Sequence, residues 1–187
     1  MGDPARPLTH GSLFTGIGGF DLGFEWAGFV TAWQVEISTY CLNVLKRRFL
    51  DVPRYTDIAA CGTHNLASVD VLTGGFPCQP FSLAGKRRGV TDDRHLWPEM
   101  RRVVAALRPP WVVAENVPGI IGVCLDDVVA DLEAEGYEAG ILVLPACAFG
   151  AWHRRDRVFI VANAAREPRR AGGSGRSQAR QEGANAF

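Results

Sequence analysis

The strongest constraint on the fold is an alternation that begins at once. The short mixed stretch Leu8 to Phe14 runs into a turn built on Gly16, Gly18 and Gly19, and then into a helical pattern through Phe20, Phe24 and Ala27. Strand, glycine turn and helix in that order form the first half of a βαβ unit, which requires a sheet whose crossover helices cover its faces. The pattern repeats: Phe29 to Val35 reads as a strand ending in Glu36, Thr39 to Phe49 as a helix, Arg54 to Ile58 as a short third strand, and Val69 to Thr73 as a fourth. Leu96 to Leu107 reads as a helix stopped by Pro109 and Pro110, and Trp111 to Ala114 as a fifth strand closing on Glu115 and Asn116. Leu125 to Glu135 is an amphipathic helix ended by Gly136; Ala139 to Pro145 and Arg157 to Ala162 complete the strands. The expected class is α/β, with a doubly wound, mostly parallel sheet.

A chain of 187 residues, 47% hydrophobic, supports one domain with a full core. Its expected limits are residues 1–165, because residues 166–187 carry five arginines, two glutamates and almost no apolar side chains larger than alanine. That composition predicts a disordered linker or tail. Twenty basic and twenty acidic residues cancel, so overall charge gives no support for a nucleic-acid partner. Five cysteines at wide, irregular spacings, with no C-x-x-C pair, predict free thiols and no metal site. Neither a signal-peptide core nor an apolar run of about 18 residues is present, so the expected location is the cytoplasm.

Chemistry concentrates at strand ends. In open α/β sheets, ligands collect beyond the carboxyl ends of the strands. The turn F-T-G-I-G-G at residues 14–19 lets backbone amides approach a ligand, and Glu36, about one βα unit later, is placed to bind ribose hydroxyls. Cys78, framed by Pro77 and Pro80 in G-F-P-C-Q-P-F-S, follows the fourth strand beside a basic loop with Lys86, Arg87 and Arg88, which favours a thiolate. Glu115 closes the adjacent strand, where a carboxyl group can move protons.

Taken in order, F-T-G-I-G-G, G-F-P-C-Q-P-F-S, E-N-V and R-R-D-R-V-F-I-V resemble the motif series of the cytosine-C5 DNA methyltransferases of the bacterial and phage type, from Leu13 to about Ala162. The resemblance implies a Rossmann-like fold dependent on S-adenosyl-L-methionine. Phe14, Gly16 and Gly18 would line the cofactor site, Glu36 would hold the ribose, Ile37 would pack on the adenine, and Asp57 and Ile58 would meet its edge; Phe76 and Leu96 are also expected there. Cys78 would add to C6 of a cytosine flipped from double-stranded DNA, Glu115 would act at N3, and Asn116, Arg155 and Arg157 would support the base. Gln79, Ser82, Lys86, Arg87 and Arg88 are expected at the DNA, on a loop that Gly85 and Gly89 let close.

Two departures stand out. His153 occupies a position where the family usually has glutamine, and the chain reaches Phe187 without the target-recognition domain that reads base edges. The expectation is a catalytic half whose recognition is supplied by a second polypeptide, or a truncated product. The alternatives are a non-catalytic remnant that binds cofactor or a partner, and RNA methylation.

Overall fold

The computed structural model describes residues 6–77 and 96–165. Within them a seven-stranded sheet has the order β3-β2-β1-β4-β5-β7-β6. The strands are β1 (Thr9–Leu13), β2 (Val30–Val35), β3 (Arg54–Tyr55), β4 (Val71–Gly74), β5 (Trp111–Asn116), β6 (Tyr137–Pro145) and β7 (Asp156–Ala164). The helices are α1 (Gly19–Trp26), α2 (Thr39–Arg48), α3 (Trp97–Leu107) and α4 (Leu125–Ala134). β1 to β5 run parallel, whereas β7 inserts antiparallel between β5 and β6. The mostly parallel sheet expected from the alternation is therefore present, with one reversed strand.

Local chemistry explains the element limits. All four residues of β4 are buried, as a central strand covered on both faces requires. Ser38 caps α2 by accepting from the Cys41 amide at 3.4 Å, and Lys46, Arg47 and Arg48 fill its last turn against the negative end of the helix dipole. Pro98 sits in the first turn of α3, where its missing N–H costs nothing. Gly11 is fixed by packing: a Cβ there would come within 2.3 Å of the Trp33 indole.

The third strand is shorter than expected. It ends at Tyr55, because the Asp57 carboxylate accepts from the Ala59 amide at 2.9 Å and starts a 3₁₀ turn, Ile58–Ala60. The fifth strand runs two residues further than expected, because β7 pairs Glu115 with Phe159 and Asn116 with Val158. The core gathers Leu13, Trp33, Leu72, Met100, Val112 and Ile160. Among the described residues no helix is long and apolar enough to cross a membrane, and no cluster of three or more His, Cys, Asp or Glu could hold a metal ion.

Candidate functional site

Parallel pairing of β2, β1, β4 and β5 brings their carboxyl ends to one edge, with Leu13 opposite Gly74 and Gly74 opposite Ala114. Two cavities open along that edge. The first, of about 450 Å³, is walled by Phe14, Glu36, Ile37, Asp57, Ile58 and Leu96, together with Val35, Thr56, Ala59, Gly75, Pro77 and Glu99. The second, of about 300 Å³, is lined by Phe76, Pro77, Glu115, Asn116, Val117, Arg155 and Arg157. Pro77 belongs to both.

The first cavity is organised by the glycine turn. Gly16 and Gly18 take positive φ angles of 60° and 89°, a region that side chains with a Cβ rarely adopt. The Glu36 carboxylate ties the turn to the start of α2, accepting from the Gly16 amide at 2.7 Å and from the Ser38 amide at 2.7 Å. Beside it Ile37 is 80% exposed, an apolar side chain presented to the cavity and covered by nothing. A carboxylate at the rim, a bare glycine turn and an exposed isoleucine fit the ribose and adenine of an adenosine-bearing cofactor.

The sequence expectations divide at this cavity. Phe14, Glu36, Ile37, Asp57, Ile58 and Leu96 come together on its wall. Gly16 touches it through its hydrogen bond to Glu36, and a Cβ on Gly16 would point into open space. Gly18 instead faces the core side of the turn, where a Cβ would come within 2.5 Å of the Phe49 ring. Phe76, expected at the cofactor, is 2% exposed with its ring tilted against Trp97 at 5.2 Å, and it borders the second cavity rather than the first. Trp97 is the first residue of α3, and both rings of the pair are buried.

Glu115 dominates the second cavity. Its Oε1 receives the Arg157 Nε at 2.7 Å, with both side chains about three-quarters covered. Burial pushes the Glu115 carboxyl above its ordinary pKa, against the opposing pull of the Arg157 and Arg155 cations. A carboxyl group biased towards its protonated form is suited to donate a hydrogen bond to a ring nitrogen. The Asn116 side chain donates to the Phe76 carbonyl at 2.9 Å and accepts from the Val117 amide at 2.9 Å, tying the segment after β4 to the end of β5. Arg155 is exposed and holds a positive φ of 41°, at the sharp entry to β7.

Cys78, Gln79, Ser82, Lys86, Arg87 and Arg88 lie outside the described residues. Cys78 follows Pro77, which is common to both cavities, by one peptide bond. Sequence reasoning missed Gly75 and Glu99. A Cβ on Gly75 would meet Glu115 Oε2 at 3.0 Å, so the glycine makes room for the carboxylate. Its place ahead of F-P-C was visible, but the long-range approach of Glu115 was not. Glu99 reaches the cavity wall from the first turn of α3, and nothing in its spacing signals that position.

The strand order, the glycine turn and the paired cavities define the Rossmann-like sheet of S-adenosylmethionine-dependent methyltransferases. The comparison with solved structures agrees: a prophage-encoded protein of E. coli described as a DNA modification methyltransferase superposes with a TM-score of 0.72 at 27% identity, over 84% of this chain and 47% of that one. Dnmt2 methyltransferase of S. pombe shares the fold, with a TM-score of 0.71 at 20% identity over 83% of this chain and 50% of its own. The chain belongs to the C-5 cytosine-specific DNA methylase family, whose model matches residues 8–182.

Among relatives, the Type II methyltransferase M.AquIA of Picosynechococcus is 39% identical over 174 residues, covering 81% of this chain and 70% of that protein. M.HgiCII of Herpetosiphon aurantiacus is 34% identical over 155 residues, 80% of this chain but 36% of its own length. The chain thus spans little more than a third of M.HgiCII.

Proposed function

We propose that the chain supplies the catalytic and cofactor-binding part of a DNA cytosine-C5 methyltransferase. The observation that carries this reading is the pair of cavities meeting at Pro77, one suited to adenosine and the other presenting Glu115, with Cys78 next in the chain. Family membership supports it, as does the naming of M.AquIA and M.HgiCII as Type II methyltransferases. S-adenosyl-L-methionine supplies an electrophilic methyl group when bound.

Each residue then has a task. Glu36 orients the ribose, Ile37 and Leu96 cover the adenine, and Asp57 and Ile58 border it. The Cys78 thiolate adds to C6 of the flipped cytosine while Glu115, protonated, donates to N3, so that the ring electrons are drawn away from the carbon under attack and C5 becomes nucleophilic. After C5 takes the methyl group, loss of its proton lets the C6–sulfur bond break, which restores the aromatic ring and the thiolate. Arg157 holds the Glu115 carboxyl, Arg155 is placed at the base and phosphate, and Asn116 keeps the Cys78-bearing segment against β5. Gln79, Ser82, Lys86, Arg87 and Arg88 are assigned to the DNA strands.

Reading of a particular base sequence is assigned to protein beyond these 187 residues, on the same polypeptide or a second one, because the match to M.HgiCII covers only 36% of that relative. The catalytic domain is taken as residues 1–165, although the family match continues to residue 182. The proposed setting is the cytoplasm, where Cys41, Cys61 and Cys147 remain thiols.

Transfer of radiolabelled methyl from S-adenosylmethionine to DNA, with the product nucleoside identified, tests the reading. Label in 5-methylcytosine that disappears in Cys78→Ala is expected; label on adenine, or on RNA alone, would overturn it.

A further inference from the structure

Beneath α1 the sheet is polar where a core is usually apolar: His10, Ser12, Thr31, Gln34 and Thr73 are all buried, and Asp21 of α1 is buried over them. Within this layer the Gln34 and Arg54 side chains together link four elements. Gln34 Nε2 donates to Asp21 Oδ1 at 2.8 Å, and Gln34 Oε1 accepts from Arg54 Nε at 3.0 Å. The Arg54 guanidinium goes on to donate from Nη2 to the Leu45 carbonyl at 3.0 Å and to the Phe49 carbonyl, at the end of α2. Leu45 and Phe49 then pack on Gly18, where any Cβ would come within 2.5 Å of the Phe49 ring. The circuit starts on α1, crosses β2, β3 and α2, and returns to the glycine turn.

Its members stand just behind the cofactor cavity. Gln34 precedes Glu36 by two residues, Arg54 precedes Thr56 by two, and both Glu36 and Thr56 line that cavity. An amide suits position 34 because it donates at one end and accepts at the other; an ionised carboxylate there would lack the donor. Buried polar groups cost desolvation that apolar side chains avoid, and they fix geometry where they are bonded. Gln34 is bonded at both ends, whereas Asp21 Oδ2, Ser12 Oγ, Thr31 Oγ1 and His10 Nδ1 have no hydrogen-bond partner among the described residues.

We propose that Gln34 is a positioning residue that, through Asp21 and Arg54, sets the spacing of the glycine turn, the Glu36 strand end and the Thr56–Asp57 segment, and with it the affinity of the cavity for an adenosine-bearing ligand. The affinity part rests on the cofactor reading given above. Gln34→Met keeps the bulk and removes both hydrogen bonds, whereas Asp21→Asn keeps an acceptor for Gln34.

The test combines calorimetry, using S-adenosylhomocysteine as the probe, with amide hydrogen exchange of the ligand-free protein. Gln34→Met is expected to weaken binding about tenfold, and Asp21→Asn by no more than about threefold. In Gln34→Met the Gly16 and Ser38 amides, both bonded to Glu36, exchange faster while the Leu72 and Val112 amides in the central strands keep their protection. Binding within about twofold of the unaltered chain, with Gly16 and Ser38 protection unchanged, would overturn the proposal whatever the melting temperature. Should the unaltered chain bind no S-adenosylhomocysteine, the cofactor reading falls, and exchange at Gly16 alone decides whether Gln34 positions the turn. Arg54→Lys, which cannot reach Gln34 and two carbonyls together, provides the same readout if Gln34→Met does not fold.

Discussion

Gly75 and Glu115 act as a unit at the second cavity. The carboxylate sits 3.0 Å from where a Gly75 Cβ would be, closer than ordinary van der Waals contact, so a methyl group there must push Glu115 away from its present position. The atom met is the far end of the Glu115 side chain, about a quarter exposed, which can shift at the cost of its Arg157 contact, so the substitution is cheap for stability and expensive for geometry. Gly75→Ala is therefore expected to slow methyl transfer by about tenfold to a hundredfold, as misplacement of a reacting group by about 1 Å does, while the melting temperature changes by a few degrees at most. Steady-state kinetics beside a thermal melt checks this; unchanged kinetics with a large loss of stability would contradict it. Glu36 was legible because it follows a strand directly, and strand ends share one edge, whereas Ile37 and Asp57 came from the family resemblance alone. Gly75 was not, because its neighbour lies 40 positions away in sequence, on β5. The Phe76 ring borders the second cavity and not the first; alternation along a loop after a strand does not fix which way a ring turns, and here the ring lies against Trp97.

At the scale of elements, β1 carries the least expected content. It looked like a mixed strand, yet His10 and Ser12 are fully buried under α1. His10 is stacked on Phe24 at 4.5 Å and its Nε2 lies 2.8 Å from Thr73 Oγ1, so the imidazole is held neutral, with burial depressing its pKa from 6.5 to about 4. The sign follows from linkage: between pH 6.5 and about 4 the unfolded chain binds a proton that the folded chain refuses, so stability falls as pH falls through that window. Above it His10 is neutral in both states and contributes no pH dependence. The loss is about 3 kcal/mol across the window, from about 1.4 kcal/mol for each pH unit. Urea unfolding at a series of pH values should show this slope in the unaltered chain and a shallower one in His10→Gln; parallel slopes would contradict the assignment. Helix and strand positions were largely legible because periodicity and turn chemistry are local. The reversal of β7 was not, since side-chain alternation is the same in either direction and only the connection through β6 determines it. The 3₁₀ turn that shortens β3 could have been found from Asp57, a capping residue two positions before Ala59.

For the molecule as a whole, one face of the sheet shows how far these residues carry the function. Beside α1, a groove of about 530 Å³ lined by Phe20, Phe24 and Phe159 continues to Glu115, Arg155 and Arg157, so the second cavity opens onto an apolar surface. Twenty basic and twenty acidic residues cancel, so net charge gives no support for DNA binding, and the proposed contact rests on local cations such as Lys86, Arg87 and Arg88. The proposed chemistry is narrower than sequence recognition: Cys78, next in the chain to Pro77 on the wall common to both cavities, forms a bond to cytosine while a methyl group is delivered to C5. The most direct measurement uses DNA containing 5-fluorocytosine together with S-adenosylmethionine, because fluorine at C5 cannot leave as the proton does and the C6–sulfur bond is trapped. The account predicts a protein–DNA adduct that survives denaturation, maps by mass spectrometry to Cys78, requires the methyl donor and is lost in Cys78→Ala. An adduct that persists in Cys78→Ala or maps to another residue would contradict it, as would methylation of ordinary cytosine by the Cys78→Ala chain.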